Sequence, residues 1–377
     1  MMTRTRYVVL VLATFVSIHF ILSFSHEDYG RVTSFSNIAS QFKGATGGPP
    51  YKAGIPAQYY QHDGVNETAP GERANAAFVV LARNGDLNGI SSSVRQMEDR
   101  FNRKFHYPYV FLNEVPFSDE FKRRITNLVS GEVEFGLIPR EHWFQPSWID
   151  EEKAKADREK MGKLPIPYGG SLPYRNMCRY NTGFFYRHEL VQKYRYYWRI
   201  DPDVNFYCNI DYDVYNNKTY GFTISLPEYR ETITTLWAGV KEFIKENPEL
   251  VSPDNAMDFL SDDHGETYNR CHFWSNFEIG DLDLWRGEAY SKFFDFLDHK
   301  GGFYYERWGD APVHSIGAAL FSRKDQIHFF SDIGYKHNPF SHCPTGEAYT
   351  RGKCWCDPND NFDTNPYSCL KRYDKLF

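Results

Sequence analysis

Residues 76–82 read AAFVVLA, a short apolar run with polar residues on both sides. Such a run is typical of a strand that is buried on both faces of a sheet. A turn follows at residues 83–86, and apolar residues then recur at helical spacing from Ile90 to Phe105. The segment Tyr107–Leu112 is apolar again and predicts a second strand. This strand–helix–strand order predicts a parallel sheet with a right-handed crossover.

Helical and strand patterns alternate along the rest of the chain, which predicts the α/β fold class. Helices are expected at Thr232–Glu246 and at Glu288–His299, the second stopped by Gly301. Ligands of such folds bind beyond the carboxyl ends of the strands, so the loop that begins at Arg83 is a candidate binding loop. This loop contains no G-x-G-x-x-G pattern, which disfavours a dinucleotide-binding fold.

The composition limits the classes of function. The 377 residues include 43 Lys and Arg against 49 Asp and Glu, a formal net charge of −6. Proteins that bind nucleic acid normally present a basic face, so no nucleic-acid partner is expected. Charged residues make up 24% of the chain and hydrophobic residues 41%, which excludes a disordered chain and a multi-span membrane protein.

The N-terminal segment predicts a membrane anchor. Residues 7–24 carry no formal charge and follow Arg4 and Arg6. At about 1.5 Å per residue, this run is just long enough to cross a thin bilayer as a helix. A cleaved signal peptide is the alternative, but the run ends without a small-residue cleavage site. The positive-inside rule then makes residues 1–6 a cytoplasmic tail and places the remainder in the lumen.

Residues 25–72 are rich in Gly, Ser, Pro and Ala, so we expect a luminal stem before one large domain over residues 73–377. Glycosylation sequons at Asn66 and Asn217 agree with a luminal domain.

The seven cysteines agree with an oxidising compartment, and four of them lie in the last 35 residues. We expect these four to form two disulfides, with three connectivities possible. Zinc binding with the nearby His342 is the alternative, although the single residue between Cys354 and Cys356 is shorter than the usual zinc spacing. One cysteine of the seven has no partner within the chain.

The stretch YYWRIDPDVNFYC (Tyr196–Cys208) is the most informative candidate for chemistry. An aromatic strand leads into Asp201 and Asp203, which a single proline separates. Two carboxylates at this spacing can face one hard cation such as Mg²⁺ or Mn²⁺. An ordinary strand-ending turn uses the same residue types, so the pattern alone leaves both interpretations open.

Three more polar side chains lie in suggestive surroundings. Glu278 lies within CHFWSNFEI (Cys271–Ile279), where burial raises the pKa of a carboxyl group and ionisation needs partners. Asp310 is either functional or the cap of the helix that follows it. His337 lies in a loop bounded by glycine and proline, and is either a metal ligand or an exposed loop histidine.

Together and in this order, these stretches resemble the fungal KRE2/MNT1-type α-1,2-mannosyltransferases, Golgi enzymes of glycosyltransferase family 15. The resemblance runs from about residue 74 to residue 370. It is also carried by YGGSLPYRNMCRYNTGFF (Tyr168–Phe185), GGFYYERWGDAPVHS (Gly301–Ser315) and DQIHFFSDIGYKH (Asp325–His337). The anchor and stem match the type II membrane layout of that family.

The resemblance implies a GT-A-like fold with a Rossmann-like central sheet, a GDP-mannose donor and a Mn²⁺ cofactor. It implies metal binding by Asp201 and His337, with Asp203 as a further candidate ligand. The family motif is Glu-Pro-Asp, so Asp201 is one methylene shorter than the residue it replaces.

The resemblance also implies roles for other side chains. Glu278 corresponds to the family's proposed nucleophile, Tyr174 lies near the donor sugar, and Asp310 lies near the acceptor. Arg83 and Arg199 join Tyr174 as candidate donor-binding residues.

The expected reaction moves mannose from GDP-mannose to a mannose 2-hydroxyl on a protein-linked glycan, with retention of configuration. Glu278 would either attack the anomeric carbon or stabilise an oxocarbenium-like transition state, and the sequence leaves both open. One alternative is a metal-independent retaining glycosidase that uses Glu278 and Asp310. The other is a non-catalytic mannan-binding protein, which the departure at Asp201 keeps open.

Overall fold

The computed structural model describes residues 73–215 and 218–376. The predicted tail and anchor, the predicted stem and both sequon asparagines lie outside these residues. Within them, no helix combines the length and apolar character needed to cross a bilayer.

The described residues form an α/β structure, as the sequence predicts. The strands are β1 (Ala76–Leu81), β2 (Tyr109–Asn113), β3 (Val133–Leu137), β4 (Tyr196–Ile200), β5 (Asn205–Phe206), β6 (Tyr220–Phe222), β7 (Ser225–Pro227), β8 (Cys271–Phe273), β9 (Phe277–Asp281), β10 (Ile327–Phe329), β11 (Tyr335–His337) and β12 (Phe340–His342).

Helices connect and cover these strands. They are α1 (Leu87–Met97), α2 (Arg103–Phe105), α3 (Asp119–Thr126), α4 (Arg140–Trp143), α5 (Glu151–Met161), α6 (Leu172–Gly183), α7 (Glu189–Gln192), α8 (Leu236–Glu246), α9 (Met257–Leu260), α10 (Leu282–Arg286), α11 (Glu288–Lys300), α12 (Gly302–Tyr305), α13 (Asp310–Phe321), α14 (Gly346–Arg351) and α15 (Leu370–Tyr373).

The main sheet has the order β10-β6-β9-β4-β1-β2-β3. The strands β3, β2, β1 and β4 are parallel to their neighbours in this series, which is the Rossmann-like half of the sheet. Strand β9 is antiparallel to both β4 and β6. The sheet is therefore mixed, and the carboxyl ends of four parallel strands meet at one edge.

The sheet is buried on both faces, which explains the apolar runs in its central strands. On β1, Val79 belongs to the core cluster on one face and Phe78 to the cluster on the other. Tyr197 and Trp198 alternate in the same way on β4. Because side chains two apart on a strand share a face, Arg199 points to the same side as Tyr197.

Of the two helices predicted from the sequence, one has the expected limits and the other begins later. The helix expected at Glu288–His299 is α11, and it ends at Gly301 in the left-handed conformation, with φ of 72°. The helix expected from Thr232 begins only at Leu236, because residues 230–232 form a separate 3₁₀ turn.

Two small sheets border the carboxyl edge of the main sheet. Strands β12, β11 and β5 form an antiparallel sheet in which Lys336 lies opposite Asn205. Strands β7 and β8 form an antiparallel pair in which Pro227 lies opposite Cys271. These sheets position the segments that follow Asp203 and precede Glu278.

The expected pairing of the four C-terminal cysteines among themselves is wrong. Only Cys343 and Cys356 pair with each other, whereas Cys354 pairs with Cys208 and Cys369 pairs with Cys271. The C-terminal segment folds back along the domain, so its cysteines meet partners that are 146 and 98 residues away in sequence. The disulfides also exclude the zinc alternative.

Cys178 is free and buried, and burial raises the pKa of its thiol well above the usual value. We therefore expect iodoacetamide to label no cysteine in the native protein. In denaturant without reductant it should label Cys178 alone, as read by peptide mass spectrometry. A Cys178→Ser variant should then take up no label. Label on Cys354 or Cys369 in unreduced, denatured protein would contradict the pairing described here.

Candidate active site

Arg199 is the centre of a buried group of charges. Its Nε and Nη2 atoms donate hydrogen bonds of 2.8 and 2.9 Å to the two carboxylate oxygens of Asp201, and its Nη1 atom donates to Asp310. Burial would lower the pKa of Arg199, but the two carboxylates outweigh it and hold the pKa well above its usual value. A fork of this kind fixes both carboxylates relative to the end of β4.

Asp310 is the first residue of α13, and Gly309 occupies the cap position before it. The capping alternative is therefore wrong, because the Asp310 carboxylate instead accepts hydrogen bonds from Arg199 and from the Ser275 hydroxyl at 2.9 Å. Burial alone would raise the pKa of Asp310, but the charges of Arg199 and His314 and the hydrogen bonds from Arg199 and Ser275 together lower it. Asp310 is thus held as a buried, ionised carboxylate.

Glu278 lies directly opposite Arg199 in the register of β9 and β4. It is only 1% exposed, so its carboxylate depends on protein partners. The Tyr197 hydroxyl donates to one oxygen, and the Tyr220 hydroxyl donates to the other at 2.8 Å. The His314 Nδ1 atom lies 2.9 Å from that second oxygen. The expectation that a buried Glu278 would need partners is confirmed.

A small cavity of about 10 Å³, room for roughly one water molecule, lies beside these residues at the carboxyl ends of β1 and β2. Its walls include Val79, Leu81, Leu112, Tyr180, Asn181, Phe185, Tyr197, Arg199, Glu278 and His314. The Tyr180 hydroxyl and the Asn181 amide nitrogen are buried and have no hydrogen-bond partner among the described residues. Buried polar atoms are normally paired, so this wall can donate hydrogen bonds to one small polar group that enters the cavity.

The candidate metal ligands lie at the rim of the same edge. Asp203 is in the left-handed conformation, with φ of 61°, and its carboxylate packs against Gly89 of α1. His337 ends β11, and the antiparallel pairing of β11 with β5 carries it towards the Asp-Pro-Asp turn. Its ring lies edge-on to Trp274, with the centroids 4.8 Å apart.

Within the described residues, no three His, Cys, Asp or Glu side chains are grouped closely enough to hold a metal ion. The oxygen donors of Asp201 and Asp203 and the nitrogen of His337 are nevertheless the donor types that suit Mn²⁺. Strand pairing brings all three to one edge, so the residues present fit such an ion in their chemistry.

Tyr174 and Arg83 lie in different surroundings. The Arg307 guanidinium lies over the Tyr174 ring at 5.2 Å, and Tyr168 stacks on the same ring at 4.5 Å. Burial raises the pKa of Tyr174 well above its usual value, and Asp310 lies close enough to add to the increase. Arg83, at the end of β1, pairs with Glu114 at 3.4 Å. The structure therefore brings Tyr174 to the Arg199 group, while Arg83 lies apart on the neighbouring loop.

Several residues that complete the site were not predicted from the sequence. Ser275 and His314 lie within the quoted stretches, and their closeness to Glu278 and Asp310 was the available signal. Tyr220 comes from β6, where no local pattern points to a role. The pairing of β6 with β9 brings Tyr220 beside Glu278 in the structure.

The sequence profile described as glycolipid 2-alpha-mannosyltransferase matches residues 51–376. The chain is 54% identical over 331 residues to glycolipid 2-alpha-mannosyltransferase 1 of Candida albicans, covering 86% of this chain and 77% of the relative. It is 53% identical over 317 residues to the O-glycoside alpha-1,2-mannosyltransferase omh1 of Schizosaccharomyces pombe, covering 83% and 81%. These similarities confirm the resemblance seen in the sequence.

Solved structures agree. The mannosyltransferase Ktr4p from Saccharomyces cerevisiae in complex with GDP is 42% identical and superposes with a TM-score of 0.77, covering 80% of this chain and 82% of its own. The Mn/GDP form of core-mannan synthase A from Aspergillus fumigatus is also 42% identical, with a TM-score of 0.76 and coverage of 82% and 87%. The expected GT-A-like fold is confirmed by this likeness.

Replacing Arg199 tests whether it holds the buried carboxylates. Arg199→Met should lower the free energy of unfolding by about 3–5 kcal/mol at neutral pH, because Asp310 is left buried without its cation. A lowered folded-state pKa stabilises the fold above the unfolded pKa, and this contribution is lost as the pH falls through the folded value. In Arg199→Met the cation is absent, and burial then favours the protonated form of Asp310. The difference in free energy of unfolding between the variant and the unmodified protein should therefore shrink as the pH falls from about 7 towards about 4.

Urea unfolding at both pH values measures this deficit, and Arg199→Lys is the matched control that keeps the charge. A deficit that does not change with pH would contradict the account.

Proposed function

The chain belongs to the glycolipid 2-alpha-mannosyltransferase family, and from this premise we propose that it is an α-1,2-mannosyltransferase. It transfers mannose from GDP-mannose to a mannose 2-hydroxyl on a protein-linked glycan, with retention of configuration and dependence on Mn²⁺. The observation that carries the proposal is the buried charge cluster at the end of β4, in which Arg199 holds Asp201 and Asp310 and lies opposite Glu278. The GDP and Mn/GDP complexes of its structural neighbours support the choice of donor and metal.

The donor sugar is proposed to bind at the mouth of this cavity, because the cavity itself is too small for a sugar ring. Leu81 and Leu112 give this cavity apolar walls, and the unpaired Tyr180 hydroxyl and Asn181 amide can bind one small polar group that enters it. Such a wall orients the anomeric carbon before any bond changes.

Asp201 and His337 would hold Mn²⁺, with Asp203 as a further ligand. When bound, the metal supplies positive charge that neutralises the departing diphosphate. The chain's own contribution is the Arg199 fork, which orients the Asp201 carboxylate. Aspartate in place of the family's glutamate keeps this carboxylate close to the strand end.

Glu278 is proposed to act through its charge rather than as a nucleophile. Its oxygens are already engaged by Tyr197, Tyr220 and His314, so attack on the anomeric carbon would break hydrogen bonds inside a buried site. A fixed carboxylate beside the sugar stabilises an oxocarbenium-like transition state without moving. This favours front-face substitution over double displacement.

Asp310 is proposed to face the acceptor. Its hydrogen bonds from Arg199 and Ser275 both engage Oδ2. The Oδ1 atom is thus left to accept a hydrogen bond from an acceptor hydroxyl.

We also propose that the protein is a single-pass type II membrane protein of the Golgi, with residues 73–377 as the luminal catalytic domain. The uncharged segment 7–24 behind two arginines supports the anchor. The three disulfides of the described residues support an oxidising lumen.

The luminal fragment, incubated with GDP-mannose and methyl α-mannoside, should release GDP with Mn²⁺ and stop with EDTA. Asp201→Ala should lose Mn²⁺ affinity and reduce turnover by about 10²–10³-fold, because a bound metal contributes several kcal/mol to the transition state. Mn²⁺ binding is read independently by electron paramagnetic resonance of the free ion. Asp258→Ala, at an exposed carboxylate outside the Arg199 group, is the control. Mannan binding without product would favour the non-catalytic alternative.

Glu278→Gln keeps the shape of the side chain but removes its charge. We expect kcat to fall by about 10²–10³-fold, with the KM for methyl α-mannoside unchanged, because the lost contribution exists only in the transition state. A 2-fluoro-GDP-mannose donor tests the rival mechanism, since mass spectrometry would detect a trapped mannosyl ester. An ester on Glu278 would contradict the charge-stabilising role.

A further inference from the structure

Two tyrosines outside the Arg199 group present much of their surface to solvent. Tyr229 is 42% exposed and Tyr367 is 43% exposed. Burial raises the pKa of the Tyr367 phenol, and Tyr229 adds to the increase. The Tyr367 hydroxyl also donates a 3.1 Å hydrogen bond to the Pro227 carbonyl, two residues before Tyr229.

Covalent and backbone contacts hold this pair in place. Cys369, two residues after Tyr367, is bonded to Cys271 on β8. In turn, Cys271 lies opposite Pro227 on β7. The disulfide therefore anchors the C-terminal segment beside the residues that lead into Tyr229. Exposed aromatic rings on a fixed backbone need little further ordering when they bind a ligand.

A chain of aromatic contacts connects the pair to the candidate active site. The Tyr367 ring lies 6.4 Å from Phe340, and Phe340 lies 5.8 Å from Trp274. Trp274 contacts His337 at 4.8 Å and precedes Ser275, which donates to Asp310. The aromatic series therefore extends outward from the side of the site where Asp310 is proposed to face the acceptor.

Charged side chains lie next to Tyr229. Glu228, next to Tyr229, accepts a 3.2 Å hydrogen bond from Arg307. The same guanidinium lies over the Tyr174 ring, on which Tyr168 stacks. Sugar recognition uses this mixture, in which aromatic faces pack on the C–H groups of a sugar ring and nearby polar groups bind its hydroxyls.

We propose that Tyr229 and Tyr367 form a binding subsite for the mannose residues that precede the reacting one in an oligosaccharide acceptor. The inference rests on the proposed function and specifies the acceptor as a chain of mannose residues rather than a single sugar. The reacting mannose lies against Asp310, and the preceding residues lie along the aromatic series towards the pair.

Steady-state kinetics with two acceptors test the subsite. The Tyr229→Ala/Tyr367→Ala double variant should raise the KM for α-mannotetraose by about 10-fold, because stacking contacts of this kind contribute about one order of magnitude. Its kcat and its KM for methyl α-mannoside should match the unmodified protein. Phenylalanine at both positions keeps the rings and should restore most of the lost affinity.

Trp355→Ala is the matched control. Trp355 is 56% exposed. It lies between Cys354 and Cys356, which form the two disulfides that do not involve Cys369. It should change neither KM. An unchanged KM for α-mannotetraose in the double variant, or equal increases for both acceptors, would overturn the subsite. The proposed function fails separately, by the absence of product from methyl α-mannoside with the unmodified protein.

Discussion

A single buried guanidinium organises the site. Arg199 holds Asp201 with two hydrogen bonds and Asp310 with a third, and it faces Glu278 across the β4–β9 pair. Three carboxylates this close together would repel one another, and burial would strengthen the repulsion. The positive charge of Arg199 between them offsets this repulsion. The positions of Asp201, of the cavity wall and of the start of α13 therefore all depend on Arg199.

The fold brings these groups together through strand register. Side-chain alternation on β4 places Tyr197 and Arg199 on one face, and antiparallel pairing sets Glu278 beside them. The small β5–β11 pair then returns His337 to the turn that follows β4. Residues more than a hundred positions apart in sequence thus share one edge, where the carboxyl ends of parallel strands create a crevice.

Sequence patterns predicted the features of the fold that depend on neighbouring residues. The apolar run that forms β1 and the glycine that stops α11 were both read correctly, because burial and the left-handed cap act on neighbouring residues. The partners of Glu278 were not predicted, because Tyr220 reaches Glu278 only through the pairing of β6 with β9. The pairing of Cys369 with Cys271 was missed for the same reason, as nothing local shows where the chain returns. The quoted stretches identified the family, whereas the hydrogen bonds inside the site needed the structure.

The central claim is that this charge cluster serves retaining mannosyl transfer. The most direct measurement is the nuclear magnetic resonance spectrum of the product made from GDP-mannose and methyl α-mannoside with Mn²⁺. We predict a disaccharide whose new linkage joins an α-configured anomeric carbon to the 2-hydroxyl of the acceptor. A β-configured product, a linkage to another hydroxyl, or free mannose as the sole product would contradict it.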